Sequence, residues 1–161
     1  MKIDFKRLVD AARKARRQAY APYSHYLVGA AVLAKSGKIY DGCNIENAAY
    51  PSGLCAERVA IFKAISEGER ELRAIAVVTK NSGSPCGACR QVFAEFARGD
   101  SIYIIASTRD RQQRVFLLTE FLPESFGPDK LVSLRPRAVR GGSNLHHPAR
   151  RLLRRKNRSS Q

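Results

Sequence analysis

No apolar run in this chain reaches transmembrane length, so no membrane span is expected. The first residues, Met1-Lys2-Ile3-Asp4-Phe5-Lys6, lack the apolar stretch of a secretory leader, and no signal peptide is expected. No internal repeat is present. Cysteine is scarce: there are four, three of them at metal-like spacing. That argues for a reducing compartment over a disulfide framework, and a cytoplasmic location is the expectation. Acid is missing from residues 135–161, which hold nine Arg or Lys and no Asp or Glu.

The charge is therefore divided. Residues 1–134 hold the other twenty basic residues and all fourteen acids, so they account for only +6 of the net +15. With 161 residues and 44% apolar side chains, the chain has room for one globular domain with a real core. We place that domain at residues 1–134 and a basic tail at 135–161. Gly141-Gly142-Ser143-Asn144 reads as a linker and residues 137–161 as disordered. Beyond Val139 the only aliphatic residues larger than Ala are Leu145, Leu152 and Leu153, too few to offset the ordering of that segment. A solvated charge run is the favoured reading of the tail over RNA binding, and nucleic acid is not expected as a partner of the domain.

Periodicity divides the domain into elements. Residues 4–19 carry Phe5, Leu8, Val9, Ala12, Ala15 and Ala19 at helical spacing, and the helix should end at Pro22. Arg13, Lys14, Arg16 and Arg17 on it read as a solvated face. Residues 26–34 and 38–44 form a hairpin around Ser36-Gly37, followed by a polar loop over 44–50. Residues 55–67 read as a helix stopped by Gly68, apolar on nearly all sides and so expected to be buried. Residues 74–79 and 102–107 are buried strands. Between them Ser84 and Pro85 look like the N-cap and first residue of a helix beginning at Cys86. A last strand over 115–118 and a short helix over 119–122 precede Pro123. The alternation from residue 38 to 107 suggests βαβ crossovers and a partly parallel sheet. Helix N-termini in such sheets lie near the carboxyl ends of the strands, where ligands bind.

Two short segments carry the chemistry. Cys55-Ala56-Glu57-Arg58 and Pro85-Cys86-Gly87-Ala88-Cys89-Arg90-Gln91 together offer three thiols and one carboxylate. Thiolates suit zinc, and one Zn²⁺ per subunit on Cys55, Cys86 and Cys89 is expected. Three protein ligands leave a position for water, as catalytic zinc sites do. Glu57, two residues beyond the first thiol, is placed for proton transfer. A closed structural site would need Cys43 as fourth ligand, but Cys43 falls within a strand pattern and reads as a small buried hydrophobe.

The surrounding runs extend the pattern. Tyr20-Ala21-Pro22-Tyr23-Ser24, Val28-Gly29-Ala30-Ala31 and Gly42-Cys43-Asn44-Ile45-Glu46-Asn47-Ala48-Ala49-Tyr50 precede the cysteine segments in order. In that order they resemble the small homotetrameric cytidine deaminases, over about residues 5–132. A Cys-x-Glu followed by Pro-Cys-x-x-Cys fits the general zinc deaminase pattern of a ligand, one residue, a Glu and a later Pro-Cys-x-x-Cys. The resemblance implies a three-layer α/β/α fold around a mixed, partly parallel five-stranded sheet. It implies zinc-dependent hydrolytic deamination of cytidine and 2′-deoxycytidine, with Glu57 shuttling protons to N3 and to the departing amine. Arg58 would donate hydrogen bonds to the ligand thiolates, with Gln91 behind it. Asn44 and Glu46 would hold the ribose 3′-hydroxyl. Tyr26 takes a place where relatives usually carry Phe, and its hydroxyl must find a partner. Ala56 joins the substrate-contacting set. Ala48, Tyr50 and Phe126 match positions shared between neighbouring subunits, so a homotetramer with shared sites is implied. Other readings are a modified-nucleoside deaminase of the blasticidin type, which the Asn44–Tyr50 run disfavours, a nucleic-acid-binding module with structural zinc, and an RNA-editing deaminase combining both.

Overall fold

The structure is a computed structural model that describes residues 3–109, 113–127 and 130. The linker and tail expectations, from residue 135 onward, lie outside the described residues. The first helix, α1 (Phe5–Arg16), begins where Asp4 caps it, its carboxylate accepting from the Arg7 N–H at 3.0 Å. Leu8, Val9, Ala12 and Ala15 form its buried stripe. The helix ends at Arg16, three residues short of the expected Ala19 and well before Pro22. The N–H groups of Gln18 and Ala19 reach back only three residues, and Tyr20 leaves altogether to donate to the Asn44 carbonyl at 3.0 Å. Tyr20 thereby forms a parallel bridge with Ile45, so a tertiary contact ends the helix before proline can.

Five strands follow: β1 (Gly29–Ala34), β2 (Ile39–Cys43), β3 (Leu72–Thr79), β4 (Ala97–Ser107) and β5 (Gln113–Leu117). They form one sheet in the order β2-β1-β3-β4-β5. β1 pairs antiparallel with both β2 and β3, β3 pairs parallel with β4, and β4 pairs antiparallel with β5. The mixed five-stranded sheet is the expected one, although only one of its four pairings is parallel. β1 is shorter than expected because residues 26–28 leave the ladder to line the cleft described below. β4 begins five residues earlier than expected, since Ala97 pairs with Leu72 before an irregular stretch lets Ile102 pair with Ala74.

The remaining helices are α2 (Ala56–Ser66), α3 (Gly87–Phe96) and the four-residue α4 (Leu118–Phe121). Gly68 follows α2 with φ +98°, as its stop position requires. The expectation that α2 is buried on nearly all sides is corrected: Phe62 is 45% exposed, and Lys63 and Ser66 are exposed too. Ser84 and Pro85 do not open α3. Its N-cap is Cys86, two residues later, just as Cys55 is the N-cap of α2.

Helices cover both faces, which makes the three-layer arrangement. α1 packs on Ala31, Leu33, Ala74, Ala76 and Val78. α2, α3 and α4 pack on Val32, Ile75, Val77, Tyr103 and Ile105. Each fully buried Val, Leu or Ile contributes about 1.5–3 kcal/mol of hydrophobic free energy. Gly29 is needed for the close seat of α1, since a Cβ there would lie 2.1 Å from the Ala12 carbonyl oxygen. Because β2 and β3 both run antiparallel to β1, their carboxyl ends lie at the same edge of the sheet. Both α2 and α3 therefore start at that edge. No helix among the described residues is long and apolar enough to cross a membrane.

Candidate active site

At that edge the cysteines converge. The Sγ atoms of Cys55, Cys86 and Cys89 all lie within 4.8 Å of one another. Among the described residues they form the one group of such donors; Cys43, half-buried in β2, is not part of it. Cys55 and Cys86 sit at helix N-caps and Cys89 one turn inside α3, so the positive ends of two helices face the sulfur atoms. Cys89 is fully buried and Cys86 exposed. The hydrogen bond with the Cys89 thiol pulls Cys55 down to about 5, with Arg58 assisting against burial. Cys89 is pushed up by the same bond and by burial. Three sulfurs converging at two helix N-termini, with the Arg58 guanidinium beside one of them, fit the donor set of a zinc ion.

Glu57, in the first turn of α2, is 5% exposed. Burial pushes its carboxyl up to about 7, and the Cys55 thiolate adds to the rise. It is a group able to gain and lose a proton near neutrality. Arg58 donates from Nη2 to Cys55 Sγ at 3.8 Å and to the Gly53 carbonyl at 3.4 Å. Gln91 does not reach Arg58. Its amide clamps the Phe126 backbone instead, donating to the Phe126 carbonyl at 2.6 Å and accepting from the Phe126 N–H at 3.3 Å. Phe126 itself is 58% exposed.

Cys55, Cys86 and Glu57 open onto a cleft of about 700 Å³, with Cys89 buried behind them. Its walls include Tyr26, Asn44, Glu46, Tyr50, Ala56 and Thr79. Ala48 is exposed and is not among the lining residues. Asn44 uses both ends of its amide on the entry to β1: Nδ2 donates to the Tyr26 carbonyl and Oδ1 accepts from the Val28 N–H, each at 2.8 Å. Glu46 accepts from the Tyr23 and Ser24 N–H groups at 2.9 and 3.2 Å and from the Ser24 hydroxyl. The Ser24 bond leads in holding the Glu46 carboxyl below its ordinary range. The Tyr26 hydroxyl finds its partner in Asn81, donating to Oδ1 at 2.7 Å. Asn81 is an ordinary polar loop residue in the sequence, and Ser24 enters there only as the last residue of the Tyr20–Ser24 run; the folded contacts give each its part in the site.

Comparison with known proteins gives one consistent outcome. The family model for the cytidine and deoxycytidylate deaminase zinc-binding region matches residues 3–105. The chain is 48% identical to a cytidine deaminase of Sporosarcina psychrophila, over 80% of this chain and 96% of that one. It is 47% identical to a cytidine deaminase of Halalkalibacterium halodurans, over 77% of this chain and 95% of that one. The crystal structure of a cytidine deaminase from Burkholderia pseudomallei superposes with a TM-score of 0.72 at 41% identity, covering 77% of this chain and 100% of that one. With thiols, buried carboxylate and cleft assembled on a fold shared with these relatives, the chain belongs to the cytidine and deoxycytidylate deaminase family.

Proposed function

We propose that this protein deaminates cytidine and 2′-deoxycytidine to uridine and 2′-deoxyuridine, releasing ammonia, as a step of pyrimidine salvage. The observation that carries the reading is the buried Glu57 with three convergent thiols, of which Cys55 and Cys86 line the same nucleoside-sized cleft as Glu57. Cys55, Cys86 and Cys89 would hold one zinc ion, which supplies Lewis acidity and makes water acidic enough to act as a nucleophile near neutral pH. Glu57 takes a proton from the attacking water and delivers it to ring N3. It then serves the exocyclic amine as the bond from C4 to nitrogen breaks and ammonia leaves. Its raised acidity range suits both directions of transfer. Arg58 faces Cys55 with a positive charge that tempers the negative charge of the thiolates.

Asn44 and Glu46 are assigned to the ribose hydroxyls. Both are already engaged with the Tyr23–Val28 segment, but a carboxylate has about four acceptor sites and an amide can donate twice, so capacity remains. Tyr26 supplies a ring for the base to stack on, and Ala56 lies beside it on the cleft wall. Exposed Phe126, with Ala48 and Tyr50, supports a homotetramer in which neighbours complete each other's sites. Four cysteines without a disulfide support a reducing, cytoplasmic setting. The domain is assigned to residues 1–134 with the basic tail beyond it. An ultraviolet assay with cytidine on zinc-loaded protein tests the reading: loss of the cytidine absorbance is expected, and an unchanged spectrum with cytidine and deoxycytidine alike would overturn it.

A further inference from the structure

The hydroxyl of Tyr26 ties together the two segments that run on from the antiparallel β1–β3 pair beyond its last paired residues, Gly29 and Val78. Tyr26 belongs to the segment entering β1. Its N–H donates to the Ser24 hydroxyl at 3.0 Å, and its carbonyl accepts from Asn44. Asn81 belongs to the loop between β3 and α3, which leads directly to Cys86. In that loop Ser82 adopts φ +56°, and its carbonyl accepts from Arg114 of β5 at 3.0 Å. The Gly83 N–H donates to Thr79 Oγ1 at 2.7 Å. Tyr26 Oη reaches Asn81 Oδ1 at 2.7 Å and passes directly over Gly83: a Cβ on Gly83 would lie 2.4 Å from that oxygen. With the hydroxyl gone, the nearest atoms to such a Cβ would be Thr79 Oγ1 and the Tyr26 ring carbon, both at an ordinary 3.6 Å.

We propose that Tyr26, Asn81 and Gly83 form a strut that fixes the stacking ring against the loop carrying Cys86, with Asn81 and Gly83 as positioning residues. The strut deepens the nucleoside-deaminase reading and rests on it for the identity of the stacked base. Tyr26 is the hub, held on its backbone by Ser24 and Asn44 and at its hydroxyl by Asn81. Gly83 is required by the hydroxyl and by nothing else within 3.6 Å. A side chain at residue 83 must push the Tyr26 hydroxyl off Asn81, so removing the hydroxyl should turn a disruptive substitution there into a tolerated one.

The test uses full-length, zinc-loaded protein with two readouts, steady-state kinetics with cytidine and amide hydrogen exchange over residues 80–86. Tyr26→Phe and Asn81→Leu should each raise KM by about three- to tenfold, the range expected for one lost hydrogen bond, and lower kcat by a smaller factor. Each should speed exchange over 80–86. The pair together should match either single change, because both break the same bond. Asn81→Asp keeps the acceptor and should restore KM. Gly83→Ala should harm the wild-type background but add nothing to Tyr26→Phe. Multiplying effects in either double variant, or exchange unmoved by Tyr26→Phe, would overturn the strut. Should the wild type not turn over cytidine, the function fails separately, and the exchange pattern of the same variants still decides the strut.

Discussion

Against α1 the sheet presents Ala31, Ala74, Ala76 and Ala106 together with Leu33, Val78 and Ile104. Against α2 and α3 it presents Val32, Ile75, Val77, Tyr103 and Ile105, and on that side lie buried Glu57 and Cys89. The first face is a seal: α1 comes close enough to demand Gly29 and contributes no group to the cleft. The second face gives up stability for chemistry. Burying Glu57 is unfavourable for its charged form, and gathering three thiols makes ionising more than one of them costly without a cation between them. One sheet thus keeps every reacting group on one face, and that face also carries the larger apolar cluster, with Ile61, Leu72, Phe93 and Tyr103, that holds them in place.

The separation is tested first by removing a thiol. Cys89→Ser should abolish both zinc binding and cytidine turnover, read by metal analysis and by ultraviolet assay; full zinc content with normal turnover would refute the ligand assignment. Next in size is Glu57→Gln, which should keep fold and metal while lowering turnover by about 10²–10⁴-fold. The same variant has a second signature in the metal-free protein. The Glu57 carboxyl lies above its ordinary 4.5, at about 7, so between those values the folded chain holds a proton that the unfolded chain has lost. The contribution of Glu57 to stability is fully present below the lower value and is lost as pH rises through the upper one, by up to roughly 3 kcal/mol. The lowered Cys55 thiol contributes a slope of the opposite sign over part of the same range. The Glu57 contribution is therefore read as the difference between wild type and Glu57→Gln in denaturation of the metal-free protein between pH 5 and 7: the wild type should lose stability relative to the variant as pH rises.

On the sealed face the effects reverse. Leu8→Ala should cost about 2–5 kcal/mol of stability while the folded fraction keeps its kcat, because Leu8 is 1% exposed and remote from the cleft. A fall in kcat with little change in melting would dissolve the distinction between the faces. The smallest effect is expected from truncation after Arg137, which should leave cytidine kinetics unchanged. Retained turnover with loss of salt-sensitive RNA binding would instead assign the tail a partner of its own.

Much of this arrangement was legible in the sequence because it rests on local signals. The helical spacing of Leu8, Val9 and Ala12, the apolar runs of β1, β3 and β4, and the spacing of the cysteines with Glu57 all survive folding. What escaped was decided by tertiary contact. Ser84-Pro85 has the composition of a helix start, yet α3 begins after Cys86. α1 stops early because Tyr20 is drawn to Asn44 and Glu46, which no helical period encodes. Gln91 was placed with Arg58 by its position in the motif, whereas its amide holds Phe126, thirty-five residues away. Asn81 carried no signal at all, since its meaning depends on a tyrosine hydroxyl arriving from another segment.

The position of β1 between β2 and β3 also bears on the order of assembly. Cys55 follows β2 and Cys86 follows β3, and these strands touch β1 on opposite sides without touching each other. The donors can be gathered only after β1 has paired on both edges, a non-local event that pays its loop-closure cost before any metal contact rewards it. A chelating dye competing for zinc during refolding would thus act as a clock for the centre of the sheet, registering the later of the two pairings that β1 must make.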